Sequence, residues 1–321
     1  MTFARLTGLA ALALLGLAPL LVTSASWLSF WIGALLFALL GQAWNVLGGY
    51  GGQNSFGHAV FFGTGAYGAA ILQVKFGVPA PPAALAGIAL GALVGLLIGA
   101  LSFRSGLRGS YFALATLAFA EIFRITAGAV AITGGGQGIL IPLDARAANL
   151  QFVDRRAVYY LLLALVLGTL ALTRALERSR FGARLMAVRE NEDAARALGI
   201  NAFRVKLGAI TLSGAITAAA GVVYVQYFLF VDAHLAYGPS VSIEALLGPL
   251  IGGVGTAAGP IVGAIVLHAV GEGAKRVMGD TPGLDLALYG FLLIAMLRFL
   301  PDGLIGLARR VARRRPAAVT A

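Results

Sequence analysis

Nine long apolar runs, separated by short polar or glycine-rich stretches, leave this chain few ways to fold. They occupy residues 6–22, 27–47, 59–74, 83–101, 111–132, 158–172, 207–225, 243–270 and 284–300. At about 1.5 Å per residue, helices of this length approach or exceed a hydrocarbon core about 30 Å thick. Lipid offers no partner to an unpaired backbone group, and the runs lack the strict alternation of barrel strands, so helices are expected. Only 12% of residues are charged and 59% are hydrophobic, against a soluble average of about 25% charged. The expected class is an all-α integral membrane protein, a polytopic bundle forming one domain over residues 1–321. Arg5 and the apolar core after it have the look of a signal peptide, but the run is long and another span follows almost at once, which favours retention. With no cysteine in the chain, disulfide frameworks and thiolate metal sites are excluded.

Lys and Arg are enriched in cytoplasmic loops, so their distribution sets the sidedness. Most of the 24 lie in four places: Arg5, the pair Arg104 and Arg108, segment 174–206, and the tail from Arg298 to Arg315. Placing all four inside satisfies simple alternation through the sixth run and fails afterwards, because two further full crossings would leave the tail outside. Residues 243–270, interrupted by GGVGTAAGP, are therefore expected to enter and return, giving about eight full crossings plus one broken or re-entrant element. The net charge of +11 is assigned to anionic lipid at the membrane surface, not to nucleic acid.

Glycine clusters interrupt two runs, at 46–65 and 248–263. Broken backbone at membrane depth is tolerated only where protein or a water-filled cavity covers it, and paired breaks often mark a translocation path. Path lining and a structural turn stand as equal readings for each break; Gln53, Asn54, Ser55 and His58 are the path candidates. Gly87, Gly91, Gly95 and Gly99 repeat every four residues and suit close helix packing. Glu121 and Arg124, three apart in one run, suit a structural ion pair more than a conducting site. His58, His234 and His268 lack acidic or cysteine partners at ligand spacing. No GxxxxGK[ST] phosphate loop occurs, and GGGQG at 134–138 is a turn in an outside loop. A catalytic constellation is absent, so an enzyme is not expected.

The charged segment 178–201 stands between two spans. Met186, Ala187, Ala194, Ala195, Leu198 and Ile200 are expected on its apolar side, and Arg184, Arg189, Glu190, Glu192, Asp193 and Arg196 on its polar side. Carboxylates just after Asn191 suit a helix start. A lipid-surface helix and a helix docked in a partner's groove fit this pattern equally.

FGARLMAVRENEDAARALGIN resembles the EAA-type coupling loop of ABC importer permeases, in the version of the branched-chain amino acid permease family. LGGYGGQNSFGHAVFFGTGAYGAA, LRGSYFALATLAFAEIFR, ITGGGQGI, GGVGTAAGPIVGA and LPDGLIGL follow in the family's order over nearly the whole chain, and RGSYFALATLAF is closer to the LivM-type than the LivH-type subunit. The resemblance implies an ABC importer permease fold without a cofactor, multi-pass in a bacterial inner membrane with both termini cytoplasmic. It implies a coupling segment at 174–206 and a basic cytoplasmic tail at 301–321. Its implied partners are a second, LivH-type permease, two ATP-binding cassette subunits that hydrolyse ATP, and a periplasmic or extracellular substrate-binding protein. Carried over by position, Glu192, Ala194, Ala195 and Gly199 form the core of the coupling loop, flanked by Arg184, Glu190 and Asp193; EDAA stands here in place of a strict EAA. The implied cargo is branched-chain or other amino acids. Urea or short amides, or an ion-coupled secondary transporter using Glu121 or Glu244, are the alternatives.

Overall fold

The computed structural model describes residues 24–144, 146–152, 154–278 and 302–313, with the single positions 16, 19, 287, 288, 290, 291, 294 and 298. Helix α1 (Ala25–Asn45) runs into a π turn, Val46–Tyr50, followed by α2 (His58–Phe76), α3 (Ala80–Arg104), α4 (Gly109–Ala129) and α5 (Arg155–Arg178). Two short polar helices, α6 (Arg180–Glu190) and α7 (Glu192–Ala197), precede the long α8 (Ala202–Phe228). Then come α9 (Ala233–Tyr237), α10 (Pro239–Gly252), α11 (Gly259–Met278) and α12 (Gly303–Arg313). Among the described residues, α1 through α5 and α8 are the six helices long and apolar enough to cross a membrane. Two other expected crossings, 6–22 and 284–300, lie outside the described residues apart from those single positions.

Polar ties fix how the helices run. Tyr50 donates to Glu177 at 2.5 Å, Arg108 meets Glu192 at 3.3 Å, and Lys206 meets Glu192 at 3.1 Å. The ends of α1, α3 and α5 and the starts of α4 and α8 therefore gather at one end of the bundle, with α6 and α7; this is the insert end. At the far end, Arg155 donates to Ser29 Oγ at 2.9 Å. There β1 (Ile139–Leu140) pairs antiparallel with β2 (Phe230–Val231), Ile139 opposite Val231. The GGGQG stretch is a turn, with Gly134, Gly135 and Gly138 at positive φ.

Small residues set the packing. Gly87, Gly91 and Gly99 bring α3 against Val222, Ala218 and Ile210 of α8 in antiparallel order, the close approach that substitutes for hydrophobic drive in lipid. Along α1, Gly33 abuts His268, Gly41 abuts both Pro249 and Pro260, and Gly49 abuts Gly255. Helix α10 thus descends beside α1 from the far end, and α11 returns. The expected broken element is a hairpin of two helices, wider than 243–270, whose bend lies at the insert end. The largest fully buried side chains include Trp44, Tyr50, Phe61, Phe112 and Tyr159, and the main core cluster joins them to Ala209, Ile210, Ile216, Ala220 and Val223 of α8, so the core is built around α8.

Candidate functional site

The insert is three capped joints. Ser179 Oγ accepts from the Gly182 N–H and starts α6; Asn191 Oδ1 accepts from the Asp193 and Ala194 N–H groups and starts α7; Asn201 Oδ1 accepts from the Arg204 N–H and starts α8. Each cap satisfies donors that a helix start leaves open. Glu192 and Asp193 occupy the first turn of α7, where the helix dipole favours carboxylates. Gly199 has φ +82°, a left-handed conformation that suits glycine and releases the chain from α7.

Because Asn191 breaks the helix, one apolar face does not run through the whole insert. Leu185, Val188 and Ala195 are buried, whereas Met186 and Ala194 are exposed and Leu198 is 83% exposed. The expected apolar side is thus split: Ala195 packs inward, while Ala194 and Leu198 face out beside Gly199. Arg184, Glu190 and Asp193 are exposed too. Glu192 is the anchor, bonded to Arg196 at 2.6 Å and Lys206 at 3.1 Å and close to Arg108. Lys206 is almost fully buried, 4.8 Å over the Phe103 ring. Asp193 accepts from Arg108 and, with Glu192, raises that guanidinium above its ordinary pKa. Arg108 and Lys206 entered the sequence reading only as basic residues on one side; their pairing with the insert has no local signature.

Arg189 reaches out of the insert into the bundle. Its Nη1 donates to the Gly49 carbonyl at 2.7 Å, inside the π turn, and a β-carbon on Gly255 would meet it at 2.8 Å. Asn45 closes the same joint, accepting from the Gly255 N–H at 2.8 Å and donating to the Thr256 carbonyl at 3.0 Å. The two glycine breaks, some 200 residues apart in sequence, therefore meet each other and the insert at one point. A π turn is a rare element that is found often at functional positions.

Past the π turn the chain folds back into the bundle. Trp44 Nε1 donates to the Ser55 carbonyl at 2.8 Å, and the Phe56 N–H donates to Thr116 Oγ1 at 3.1 Å. Ser213 Oγ donates to the Ala43 carbonyl at 2.7 Å and lies 2.9 Å from His58 Nε2, so that nitrogen carries the proton. His58 Nδ1 and Gln53 Oε1 are buried without a hydrogen-bond partner. Gln53, Ser55 and His58 are buried and Asn54 is exposed; none of the four lines the main cavity.

That cavity, about 710 Å³, runs from Ala25 and Arg155 at the far end, past Ser240 and Val241, down to Leu40 and Phe62. Leu40 lies 15 residues into α1, about 22 Å deep. The wall is largely aromatic and aliphatic, with Arg155, Glu244, His268 and Glu272 as its ionisable groups. His58 and the Ala43–Ser213 bond sit next along the same helices, so a packed seam underlies the floor. No sequence feature marked Arg155 or His268 as cavity residues.

Comparison with known proteins agrees with this architecture. The chain is 29% identical over 304 residues, 86% of its length and 69% of the relative's, to the high-affinity branched-chain amino acid transport system permease protein LivM of Salmonella typhimurium. The LivH permease of the same organism is 28% identical over 140 residues, 44% of each chain. The L-arabinose ABC transporter permease protein AraH of Azospirillum brasilense is 27% identical over 215 residues, 66% of this chain and 61% of that one. No solved structure matches the chain. The family described as branched-chain amino acid transport system, permease component, matches residues 8–297, and the chain belongs to that family.

Proposed function

We propose that this chain is one permease subunit of an ATP-driven importer, most plainly one for branched-chain or other amino acids. It works beside a second, LivH-like permease, two ATP-binding subunits at the insert end and a substrate-binding protein at the far end. The insert end faces the cytoplasm of a bacterial inner membrane, and eight full crossings plus the α10–α11 hairpin keep both termini there. The observation that carries the reading is the Arg189 contact: a polar insert outside the bundle is bonded to one helix break at Gly49 and packs against the other at Gly255.

Leu198, Ala194 and Gly199 present the exposed side of α7, shaped for a groove on an ATP-binding subunit. Ala195, Glu192 and Lys206 hold α7 against the permease, so displacement of the insert is passed to α5 and α8, and through Arg189 to the π turn and the α10–α11 bend. The cavity is the far-side half of the path. Arg155 and Glu244 supply charges of both signs for a zwitterion, and Phe37, Phe62 and Tyr224 suit an apolar side chain. The stretch Gln53–His58 is the closed half; the unpartnered His58 Nδ1 and Gln53 Oε1 gain water when the seam parts, since buried polar groups without partners are costly to maintain. ATP-dependent uptake by proteoliposomes holding the full assembly, with a panel of amino acids, urea and arabinose, tests this. Uptake of branched-chain amino acids that needs ATP is expected; uptake driven by a proton gradient without ATP would contradict it.

A further inference from the structure

Glu121 and Arg124 form an ion pair on α4, with Arg124 Nη2 donating to Glu121 Oε1 at 2.5 Å and Nε donating to Oε2 at 2.9 Å. Both point outward, their side chains 50% and 33% exposed. Helix α4 leaves the insert end at Gly109, beside Arg108, so at about 1.5 Å per residue the pair lies about 18–22 Å along it, well inside a core about 30 Å thick. Ionised side chains at that depth face protein or a water-filled cavity, not lipid tails. Helix α3 gives the contrast, for its exposed residues Leu85, Leu90, Leu93, Leu97 and Leu101 are all aliphatic, as a lipid face requires.

Two further observations bear on α4. With α3 it is one of the two least buried of the six candidate spans. Between it and α3 runs a groove of about 310 Å³ lined by residues that include Leu101, Ser102, Ala118 and Ile122. Ser102 Oγ is buried there with no hydrogen-bond partner.

We infer that the α4 face centred on Glu121 and Arg124 is the docking surface for the second, homologous permease subunit. The inference rests on the two-permease reading above. ATP-binding subunits and a substrate-binding protein work in water on either side, so only a membrane-embedded partner reaches this depth. Its helix covers the ion pair with a polar group and sets a side chain into the groove.

The chain has no cysteine, so a single photo-reactive benzophenone can be placed at Leu117→Cys on α4, with Leu93→Cys on α3 as control, in the intact assembly in membranes. Irradiation is expected to join position 117 to the second permease and position 93 to lipid alone. Lipid adducts alone at position 117, or adducts there with an ATP-binding subunit, the binding protein or another copy of this chain, overturn the inference. ATP-dependent uptake by the same unlabelled variants separates the two readings: retained uptake without the expected adduct sinks only the docking surface, whereas uptake that never depends on ATP in the parent chain sinks the importer.

Discussion

Glu192 answers Arg108, Arg196 and Lys206 with one carboxylate, and the buried lysine sets the stakes. Removing one partner of a buried pair leaves an uncompensated charge, at a cost of about 3–5 kcal/mol, whereas replacing both partners by apolar groups is often neutral. Glu192→Ala is therefore expected to lower the thermal unfolding midpoint of the purified permease markedly, and Glu192→Met with Lys206→Met to restore most of it. A double variant that unfolds as early as the single one would contradict the pairing. At Gly199, a β-branched residue must adopt the left-handed region, costing about 1–2 kcal/mol. Gly199→Val is expected to weaken recovery of the ATP-binding subunits by displacing Leu198, with little change in membrane insertion; undiminished recovery would show that the turn does not position α7.

Among the elements, α7 and the α10–α11 hairpin carry the account. Leu198 makes no core contact to lose, so Leu198→Asp should leave the unfolding midpoint unchanged yet abolish co-purification of the ATP-binding subunits, as loss of an apolar anchor at an interface does. A β-carbon at Gly263 would stand 1.8 Å from the Gly248 carbonyl oxygen, so Gly263→Leu is expected to force α10 off α11 and remove folded protein from the membrane fraction. Normal yield of that variant would rule out the hairpin packing. The six described spans, the insert and its middle helix start at Asn191 were legible because bilayer thickness fixes a length and helix starts demand acceptors, both local requirements; the caps at Ser179 and Asn201 were not read from the sequence. The facing of α7 was not, since Asn191 restarts the helix and resets the phase that one wheel drawn through Arg184–Ile200 assumes. Placement of Gln53, Ser55 and His58 in a packed seam also escaped the sequence, because burial there depends on Ser213 and Thr116, far away in the chain.

For the whole molecule, those of the basic segments put on one side by charge counting that lie among the described residues share one end of the bundle; Arg5 lies outside the described residues. Arg108, segment 174–206 and α12 meet there, α12 through Gly303 against the Gly253 backbone, and positive charge near spans is a cytoplasmic mark. A cysteine at Arg184 should react with a membrane-impermeant maleimide in inverted vesicles and stay protected in right-side-out cells, and the opposite pattern would reverse the orientation of every partner. What charge counting could not supply is the long-range bond from Arg189 to Gly49, which turns two separate glycine interruptions into one joint.

In the proposed importer that joint is where a stroke of the ATP-binding subunits enters the bundle, and uncoupling is the signature the proposal predicts. ATP hydrolysis and substrate uptake measured side by side in proteoliposomes holding the assembled importer with Arg189→Ala test it most directly. Hydrolysis is expected to continue while uptake per ATP falls at least about tenfold, the equivalent of about 1.4 kcal/mol of lost coupling; uptake per ATP equal to that of the unaltered assembly would contradict the account.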